Sequence, residues 1–358
     1  MKVHSSTCVC LVPRLEGVGG MVSFRRKMVA GLRARGVGVV DDLEGEEYDA
    51  VLVIGGTRQL GKLWRARQRG VRIIQRLDGM NWLHRRLPTG WRHFLRAEYG
   101  NFLLGIIRAR LADGVIYQSQ FARNWWERAH GPTPGAQRVV YNGVDLGIYT
   151  PQGPGARPEN AVRLLLVEGS LMGGYEQGLA SAAGLGVGLA ERLGSAHSHN
   201  DIRRVEIMVV GRVADENRST WEDWISRQGF AGKVTFNWTG LVAGERIPEI
   251  DRSAHLLYSA DLNAACPNSD IEALACGTPV VAFDTGALPE LVAGGAGRVV
   301  PYGGDPWKLE TPDLPALIQA ALEILEDQER YRRAARARAE AAFDLDTMVE
   351  GYLEVIFG

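Results

Sequence analysis

The sequence predicts an α/β protein built of two parallel-sheet domains. Apolar runs of strand length alternate with helical patterns along the whole chain, which is typical of βα units. Residues 150–158 (TPQGPGARP) interrupt this alternation with proline and glycine, and the same pattern resumes after them. A chain of 358 residues is long enough to form two separate cores. We therefore expect two Rossmann-like domains with a cleft between them and helices at the C-terminus.

The first half of the chain contains six predicted strands with helices between them. The strands are placed at residues 7–12, 37–40, 50–54, 71–75, 114–117 and 138–141. The helical patterns lie at residues 21–35, 60–69 and 121–128. These elements define an N-terminal domain at residues 1–150, which is followed by a linker at residues 151–160.

The second half repeats the alternation and then becomes helical. Its apolar runs predict strands at residues 162–167, 206–210, 233–236, 255–258 and 280–283. Three helical patterns complete the chain at residues 314–327, 329–343 and 344–357, the last with Asp344 or Asp346 as its N-cap. We therefore expect a C-terminal domain at residues 161–340. A last helix at 341–358 is expected to pack back toward the N-terminal domain.

Composition and charge limit the classes of partner. Apolar residues make up 46% and charged residues 23% of the chain, which is an ordinary globular balance. The formal net charge is −1, so no overall basic field points to nucleic acid or to an anionic membrane. Local basic patches such as Arg25-Arg26-Lys27 leave peripheral membrane contact open, although solvated helix faces explain them equally well. We expect no nucleic-acid partner and no membrane span.

The cysteines and the N-terminus indicate the compartment. Cys8, Cys10, Cys266 and Cys276 do not form two metal-type pairs, which favours free thiols in a reducing environment. No apolar run has transmembrane length, and the first residues lack the apolar region of a signal peptide. We therefore expect a cytoplasmic protein.

The run at residues 267–281 (PNSDIEALACGTPVV) is the most informative segment of the chain. It reads as a polar loop, a helix with acidic residues in its first turn, a glycine stop and a buried strand. The backbone N–H groups of residues 268–271 would face phosphates, and Glu272 would accept hydrogen bonds from the hydroxyls of a ribose. The structural alternative is a capping box, in which Ser269 and Glu272 satisfy N–H groups of the helix start.

The same run and its continuation resemble the donor domain of family 4 glycosyltransferases. The likeness extends through AFDTGALPELV after residue 281 and GRVVPYGGDP at residues 297–306. In the first half, VIYQSQFAR at 115–123, which includes Ser119, and YNGVD at 141–145, which includes Asn142, are similar to two further signatures of the family. The resemblance implies the GT-B fold, with the first domain on the acceptor side and the second binding a nucleotide sugar.

The resemblance also implies a reaction. A sugar would pass from a nucleotide-diphosphate donor to an acceptor hydroxyl, with retention at the anomeric carbon. The departing diphosphate would itself take the acceptor proton, so the family needs no protein nucleophile, no metal and no cofactor beyond the donor. The protein would then act by positioning and by stabilising the leaving group. The acceptor is unknown.

A glycine-rich loop follows the first predicted strand. Gly19 and Gly20 open the first helix, where bare backbone would approach a ligand closely. A dinucleotide-binding fingerprint would have a third glycine where Val22 stands, which disfavours a nicotinamide-dependent oxidoreductase. The pattern fits the glycine loop beside the donor in glycosyltransferases better, and a loop without a ligand is the alternative.

Arg76 and Asp78 follow the strand at 71–75, where α/β folds place ligands. Their closeness suggests recognition of a sugar or a phosphate. The alternative is an internal ion pair between them, with Trp82 in the core. Further along, residues 80–97 read as a long loop carrying Trp82, Trp91 and Phe94, which makes it a candidate for acceptor contacts.

Two departures from the family fall on the donor site. The first glutamate of the two-glutamate motif is replaced by Ala264, and the nearby Asn268 and Asp261 are the candidates to supply its contact. The usual basic pair is also missing, because no Lys or Arg stands between Arg163 and Arg192. A diphosphate leaving group still requires positive potential. Arg212 is our first choice for it, with Arg76, Arg298 and the amides of residues 169–174 as alternatives.

These inferences give one set of candidate site residues. The candidate catalytic residues are Arg76, Asp78 and Arg212. The candidate donor-binding residues are Gly19, Gly20, Ser119, Asn142, Gly169, Ser170, Gly211, Asn268, Ser269, Asp270, Ile271 and Glu272. The two departures also allow a second function, in which the chain binds nucleotide sugars or a partner protein without turnover.

Overall fold

The protein divides into two compact units. The structure, a computed structural model, describes residues 7–17, 19–45, 47–172, 176–195 and 204–358. Unit 1 comprises Met1–Gly143 and Phe343–Gly358, and unit 2 comprises Val144–Ala342. Residues 173 and 174 of the predicted glycine-rich segment lie outside the described residues.

Unit 1 is built on a six-stranded parallel sheet. The strands are β1 (Cys8–Val12), β2 (Gly38–Val40), β3 (Ala50–Ile54), β4 (Arg72–Leu77), β5 (Gly114–Tyr117) and β6 (Ala136–Val139). Their order in the sheet is β2-β1-β3-β4-β5-β6. The chain passes from β1 to β2 on one side of β1 and then continues with β3 on the other side. The boundary between β1 and β3 is therefore a switch point, where such folds bind ligands.

The described residues of unit 1 also form five α-helices. They are α1 (Gly20–Ala34), α2 (Leu60–Gln68), α3 (Trp91–Ile106), α4 (Gln120–His130) and α12 (Leu345–Phe357). A π-helical turn, Ile107–Leu111, continues α3, and a 3₁₀ turn, Leu83–Arg85, precedes it. The prediction of a long loop at residues 80–97 is therefore wrong in its second part. The buried Ala97 and Asn101 lie four residues apart, which is one helical turn, and their burial holds the segment as a helix.

Helix α12 belongs to the core of unit 1. Met348, Val349 and Tyr352 are buried in one apolar cluster with Leu11 and Phe24. The approach to α1 is close, because a Cβ on Gly31 would lie 2.5 Å from Val349 Cγ2. Asp344 caps α12 by accepting a hydrogen bond of 2.9 Å from the Thr347 N–H, which confirms the expected N-cap.

Unit 2 contains a second six-stranded parallel sheet. Its strands are β7 (Val162–Ser170), β8 (Val205–Arg212), β9 (Val234–Gly240), β10 (Leu256–Tyr258), β11 (Val280–Phe283) and β12 (Gly297–Val300). The order is β12-β11-β10-β7-β8-β9. The switch point of this sheet therefore lies between β7 and β10, where Leu165 pairs with Leu257.

The helices of unit 2 cover both faces of its sheet. They are α5 (Gln177–Ser195), α6 (Asp215–Arg227), α7 (Ile247–Arg252), α8 (Asn268–Ala275), α9 (Leu288–Leu291), α10 (Leu314–Glu326) and α11 (Gln328–Ala342). Glycines let α5 approach its neighbours, since a Cβ on Gly184 would lie 2.7 Å from Leu314 and one on Gly186 would lie 2.7 Å from Ile207. The two parallel sheets with flanking helices confirm the predicted α/β fold.

The length and polarity of a helix decide whether it can span a membrane. In the described part of the chain, no helix is both long enough and apolar enough to span a membrane.

Candidate functional site

The glycine loop of unit 1 lies at the switch point of its sheet. It joins β1 to α1, and Gly17 and Gly19 take φ values of 94° and 132°, which residues with a Cβ rarely adopt. Gly19 is the N-cap of α1 and Gly20 its first residue. The described first turn of α1 contains no acidic residue. This helix start therefore presents backbone N–H groups and a partial positive charge, which suits an anion.

Arg76 and Asn142 are brought together at the carboxyl ends of the unit 1 strands. Arg76 Nη2 donates a hydrogen bond of 3.1 Å to Asn142 Oδ1, and Asn142 Nδ2 donates one of 3.1 Å to Gln118 Oε1. All three side chains are buried. The Arg76 guanidinium also lies 3.9 Å from the ring centroid of Phe24, a cation–π contact. The sequence did not point to Gln118 or Phe24 as members of this cluster.

Asp78 is separate from that hydrogen-bond network. Arg76 Nε and Nη1 are buried without a hydrogen-bond partner, and Nη2 bonds to Asn142, so the alternative of an Arg76–Asp78 ion pair is wrong. Removal from water raises the pKa of Asp78, and the Arg76 charge opposes that rise. The Asp78 carbonyl accepts a 2.7 Å hydrogen bond from the Trp126 indole. Asp78 is thus held by its backbone, and the residue as a whole is half-buried.

Ser119 and Gly143 have structural roles in unit 1. Ser119 Oγ accepts a 3.0 Å hydrogen bond from the Ala122 N–H and so caps α4. A Cβ on Gly143 would lie 2.8 Å from Leu345 Cα, so this glycine permits close packing beside α12. The Asn142-Gly143 pair therefore combines a buried amide with a close backbone approach.

In unit 2, the ends of β7 and β8 bring four candidate residues side by side. Ser170 and Arg212 are register partners in the parallel ladder. Gly211 has φ 138°, and a Cβ there would overlap the Glu168 carbonyl oxygen. Gly169 and Ser170 are exposed, and the Arg212 side chain is exposed too. Arg212 therefore lies at the end of a strand with its charge available to a ligand.

Helix α8 begins two residues earlier than the capping-box alternative requires. Its N-cap is Pro267, whose extended backbone precedes Asn268 as the first helical residue. Ser269 is inside the helix, and its hydroxyl lies 3.4 Å from Asp270 Oδ2. The capping-box alternative is therefore wrong. Ile271 is 1% exposed, so only its backbone is left to contact a ligand, whereas Glu272 is half-buried.

Three carboxyl groups share the switch point of unit 2. Glu168 lies two residues before the end of β7, Asp261 follows β10, and Asp270 stands in the first turn of α8. Burial raises the pKa of all three, to about 6 for Asp261 and about 7 for Asp270, and the charges of Asp261 and Asp270 raise that of Glu168 further. Asp270 Oδ2 accepts a 3.1 Å hydrogen bond from Ser259, and Oδ1 is buried without a partner.

The sequence did not reveal this carboxyl cluster. Glu168 and Ser259 were not among the candidates, because nothing in their spacing shows that β7 and β10 are neighbours in the sheet. Asp251 on α7 is a further missed residue. It is completely buried, neither carboxyl oxygen has a hydrogen-bond partner, and burial together with the Glu272 charge raises its pKa well above the usual range.

The remaining basic candidate of unit 2 is Arg298. Arg298 is paired with Glu323 at 2.5 Å, which leaves Arg212 as the better candidate for a phosphate in unit 2. Within the described ranges, no group of three or more His, Cys, Asp or Glu side chains has an arrangement that would hold a metal ion.

Sequence comparison relates the chain to sugar-transferring enzymes. Residues 189–327 match the family described as glycosyl transferases group 1. The D-inositol 3-phosphate glycosyltransferase of Mycobacteroides abscessus is 29% identical over 186 residues, 51% of this chain and 39% of that protein. The alpha-maltose-1-phosphate synthase of Mycobacterium tuberculosis is 26% identical over 257 residues, 68% of this chain and 62% of that protein. The chain thus spans about two fifths to three fifths of these relatives.

Structural comparison shows the same fold over nearly the whole chain. Sucrose-phosphate synthase from Thermosynechococcus elongatus superposes with a TM-score of 0.70 at 17% identity, covering 98% of both chains. Anabaena HepE in complex with UDP and glucose superposes with a TM-score of 0.67 at 17% identity, covering 98% of this chain and 99% of that one. Both likenesses concern the fold.

Proposed function

We propose that the chain is a glycosyltransferase of the GT-B fold, which transfers a sugar from a nucleotide-diphosphate sugar to an acceptor hydroxyl with retention of configuration. The observation that carries this proposal is the arrangement at the switch point of unit 2. There the exposed Arg212, the loop after β7 and the start of α8 lie at the carboxyl ends of neighbouring strands. The matched family covers this region from residue 189 onward.

We propose that α8 and Arg212 hold the donor diphosphate. Asn268, Ser269, Asp270 and Ile271 form the first turn of α8, whose N–H groups have no partner inside the helix. Such a turn stabilises negative charge that develops on a leaving group. Arg212 would supply the full positive charge that the sequence lacks after β7. This arrangement uses no metal, and the departing diphosphate would take the acceptor proton.

Glu272 is proposed to hold the ribose. It stands one turn into α8 and is half-buried, and it is not part of a capping box with Ser269. An ionised carboxylate accepts two hydrogen bonds from neighbouring hydroxyls, which matches a ribose diol. The complex of Anabaena HepE with UDP supports a uridine nucleotide as the first donor to test.

Unit 1 is proposed to serve the acceptor. Asp78 is half-buried and would accept a hydrogen bond from an acceptor hydroxyl. Arg76 is 2% exposed, so we propose that it acts by positioning Asn142 and not by touching substrate. The acceptor is a glycan, a lipid or a small molecule. None of Cys8, Cys10, Cys266 and Cys276 forms a disulfide, which supports a cytoplasmic location.

A binding protein without turnover is the second candidate function. The carboxyl cluster of Glu168, Asp261 and Asp270 favours it, because ionised carboxyls beside a diphosphate would oppose the negative charge that develops on the leaving group during transfer. The raised pKa values reduce this opposition, since Asp270, with a pKa of about 7, is mostly protonated below that pH. Donor turnover is therefore expected to be strongest on the acidic side of neutrality.

The two candidates differ in turnover. The purified protein would be incubated with UDP-glucose, UDP-N-acetylglucosamine and GDP-mannose, each with and without a panel of sugar and polyol acceptors. We expect release of nucleoside diphosphate, with an α-configured product from an α-linked donor by NMR. Tight nucleotide binding with no release from any pair would favour the binding protein, and an inverted product would contradict retention.

A further inference from the structure

Helix α3 presents an apolar stripe to solvent. Trp91, Leu95, Tyr99 and Phe102 are 69%, 57%, 47% and 59% exposed. Their spacing of four, four and three residues places them on one face of the helix. Ile106, one turn further along, continues the same face and is half-buried. We refer to these five side chains as the α3 stripe.

The α3 stripe stands out from the rest of the surface. Across the described residues, eleven large apolar side chains are exposed, and five of them lie on α3, where Phe94 adds to the stripe. Single exposed apolar residues are common, but a contiguous apolar face of this kind marks an interaction surface. The aromatic members have amphipathic rings of the type that sits at a membrane–water interface.

The inner face of α3 holds the stripe outward. Ala97, Asn101 and Leu103 are the buried residues of the helix. Asn101 is tied to the chain before the helix, because its Oδ1 accepts a 2.9 Å hydrogen bond from the Asn81 N–H and its Nδ2 donates one of 2.9 Å to the Asn81 carbonyl. The stripe is therefore a fixed feature of a well-anchored helix.

Basic side chains flank the α3 stripe, although the whole chain has a net charge of −1. Arg92 and Arg96 are exposed on α3 itself. The Arg58 guanidinium lies 5.9 Å from the ring centroid of Tyr99, which places a third charge beside the stripe.

The one carboxylate on α3 does not offset this charge. Glu98 Oε1 is 2.8 Å from His84 Nε2, and Glu98 Oε2 accepts a 2.8 Å hydrogen bond from Arg85 Nη2. Its negative charge is therefore neutralised within unit 1, and the face that surrounds the stripe is cationic.

We propose that α3 docks the protein on an anionic lipid surface, with the α3 stripe at the acyl boundary and Arg58, Arg92 and Arg96 at the headgroup phosphates. An apolar centre with basic flanks is the pattern of helices that lie in a membrane interface. A second copy of the chain is disfavoured because pairing this face with itself would bring like charges together. Nucleic acid is disfavoured because the apolar Leu95 and Phe102 lie within the exposed face, 57% and 59% exposed.

The proposal is tested by vesicle sedimentation with the full-length chain. Vesicles of phosphatidylcholine alone and of phosphatidylcholine with 30–40% phosphatidylglycerol, about one third anionic lipid, would be compared at low and high salt. We expect binding to the anionic vesicles only, and loss of that binding at high salt. Equal binding to neutral vesicles, or no binding to either, would overturn the proposal.

Paired variants separate the α3 stripe from the rest of the surface. Leu95→Ser with Phe102→Ser should weaken binding at least about tenfold, since two exposed apolar side chains no longer enter the interface. The control, Ile148→Ser with Leu241→Ser, removes two side chains that are 59% and 46% exposed in unit 2 and should bind like the wild type. Equal losses in both pairs would contradict a specific role of α3.

The charges are tested in the same way. Arg92→Gln with Arg96→Gln should weaken binding about 5-fold per arginine, whereas Arg227→Gln with Arg333→Gln, exposed residues of unit 2, should have little effect. Thermal unfolding of each variant checks that it is folded. Two results without vesicle binding would overturn the lipid proposal. A dimer that dissociates in the Leu95 and Phe102 variant would make a second copy the occupant of the α3 stripe. Binding of single-stranded RNA would make nucleic acid the occupant.

Discussion

Arg76 Nη2 and Asn142 Oδ1 are joined by a hydrogen bond of 3.1 Å that links the end of β4 to the loop after β6. Gln118, directly after the intervening β5, completes the connection through its own bond to Asn142. Three adjacent strand ends of unit 1 are thus fixed to one another at the edge where parallel sheets bind ligands. The link is buried, so its loss should lower the free energy of unfolding.

Asn142→Ala should therefore destabilise unit 1. The change leaves the buried Arg76 Nη2 without an acceptor, and a hydrogen bond to a charged group contributes about 1.5–3 kcal/mol. We expect the free energy of unfolding, measured with urea, to fall by about 2 kcal/mol. Asn124→Ala, at an exposed position on α4, is the control and should cost much less. Equal losses for the two variants would show that the Arg76–Asn142 bond contributes little.

The buried Asp270 should make stability depend on pH. Its pKa is raised from 3.8 to about 7, chiefly by burial, so the folded protein binds this proton more tightly than the unfolded chain. The contribution is fully present below about pH 4 and is lost as the pH rises through about 7. At 1.36 kcal/mol per pKa unit, it amounts to about 4 kcal/mol.

Asp270→Asn provides the test, because the amide does not titrate. The difference in unfolding free energy between variant and wild type should move in favour of the variant between pH 4 and pH 8. Asp223→Asn, an exposed carboxylate on α6, serves as the control and should show a much flatter difference. A constant difference for Asp270→Asn across this range would mean that the carboxyl does not carry the raised pKa.

Gly211→Ala should be the most damaging single methyl addition among the glycines of the candidate site. The φ of 138° disfavours any side chain, and the new Cβ would overlap the Glu168 carbonyl oxygen. We expect a loss of at least about 3 kcal/mol in unfolding free energy. At Gly169 a Cβ would meet nothing within 4 Å, so Gly169→Ala should change stability by less than about 1 kcal/mol. Similar losses at both positions would contradict this steric account.

Arg212→Gln should weaken donor binding without unfolding the protein. The side chain is exposed, so its replacement should leave the melting temperature within a degree or two of the wild type, about 0.5 kcal/mol. If Arg212 pairs with the donor diphosphate, the KM for the nucleotide sugar should rise about tenfold, the effect of roughly 1.4 kcal/mol. Arg227→Gln, on α6, is the matched control. An unchanged KM in Arg212→Gln would assign the phosphate to another group.

Much of the architecture can be predicted from local patterns in the sequence. Ala50–Ile54, Gly114–Tyr117 and Val280–Phe283 occur with the predicted bounds, because short buried runs of β-branched residues have few alternatives. The strand Gly297–Val300 was not predicted, since it has only four residues and starts with glycine. The sequence predicts a loop from Trp91 to Ala97, although this segment is part of a helix. Its apolar residues face solvent, so it lacks the apolar periodicity of a core-facing helix.

The candidate site could be predicted only in part. The glycine loop and the start of α8 were readable because both follow from backbone requirements of neighbouring residues. The Ser269–Glu272 capping box was a wrong alternative, since the fixed φ of Pro267 makes that residue the N-cap. The carboxyls of Glu168 and Asp270 meet only because β7 and β10 are neighbours, a relation set by the whole topology of the sheet.

Calorimetric titration of nucleoside diphosphates into the wild type and Glu272→Gln tests the central claim most directly. We expect one of UDP, GDP, ADP or TDP to bind the wild type, and binding to Glu272→Gln to be weaker by about tenfold or more, because hydrogen bonds to a charged group contribute about 1.5–3 kcal/mol. Glu245→Gln, an exposed carboxylate of the same unit, should bind like the wild type. Equal affinity of Glu272→Gln and the wild type, or no binding of any of the four, would contradict the account.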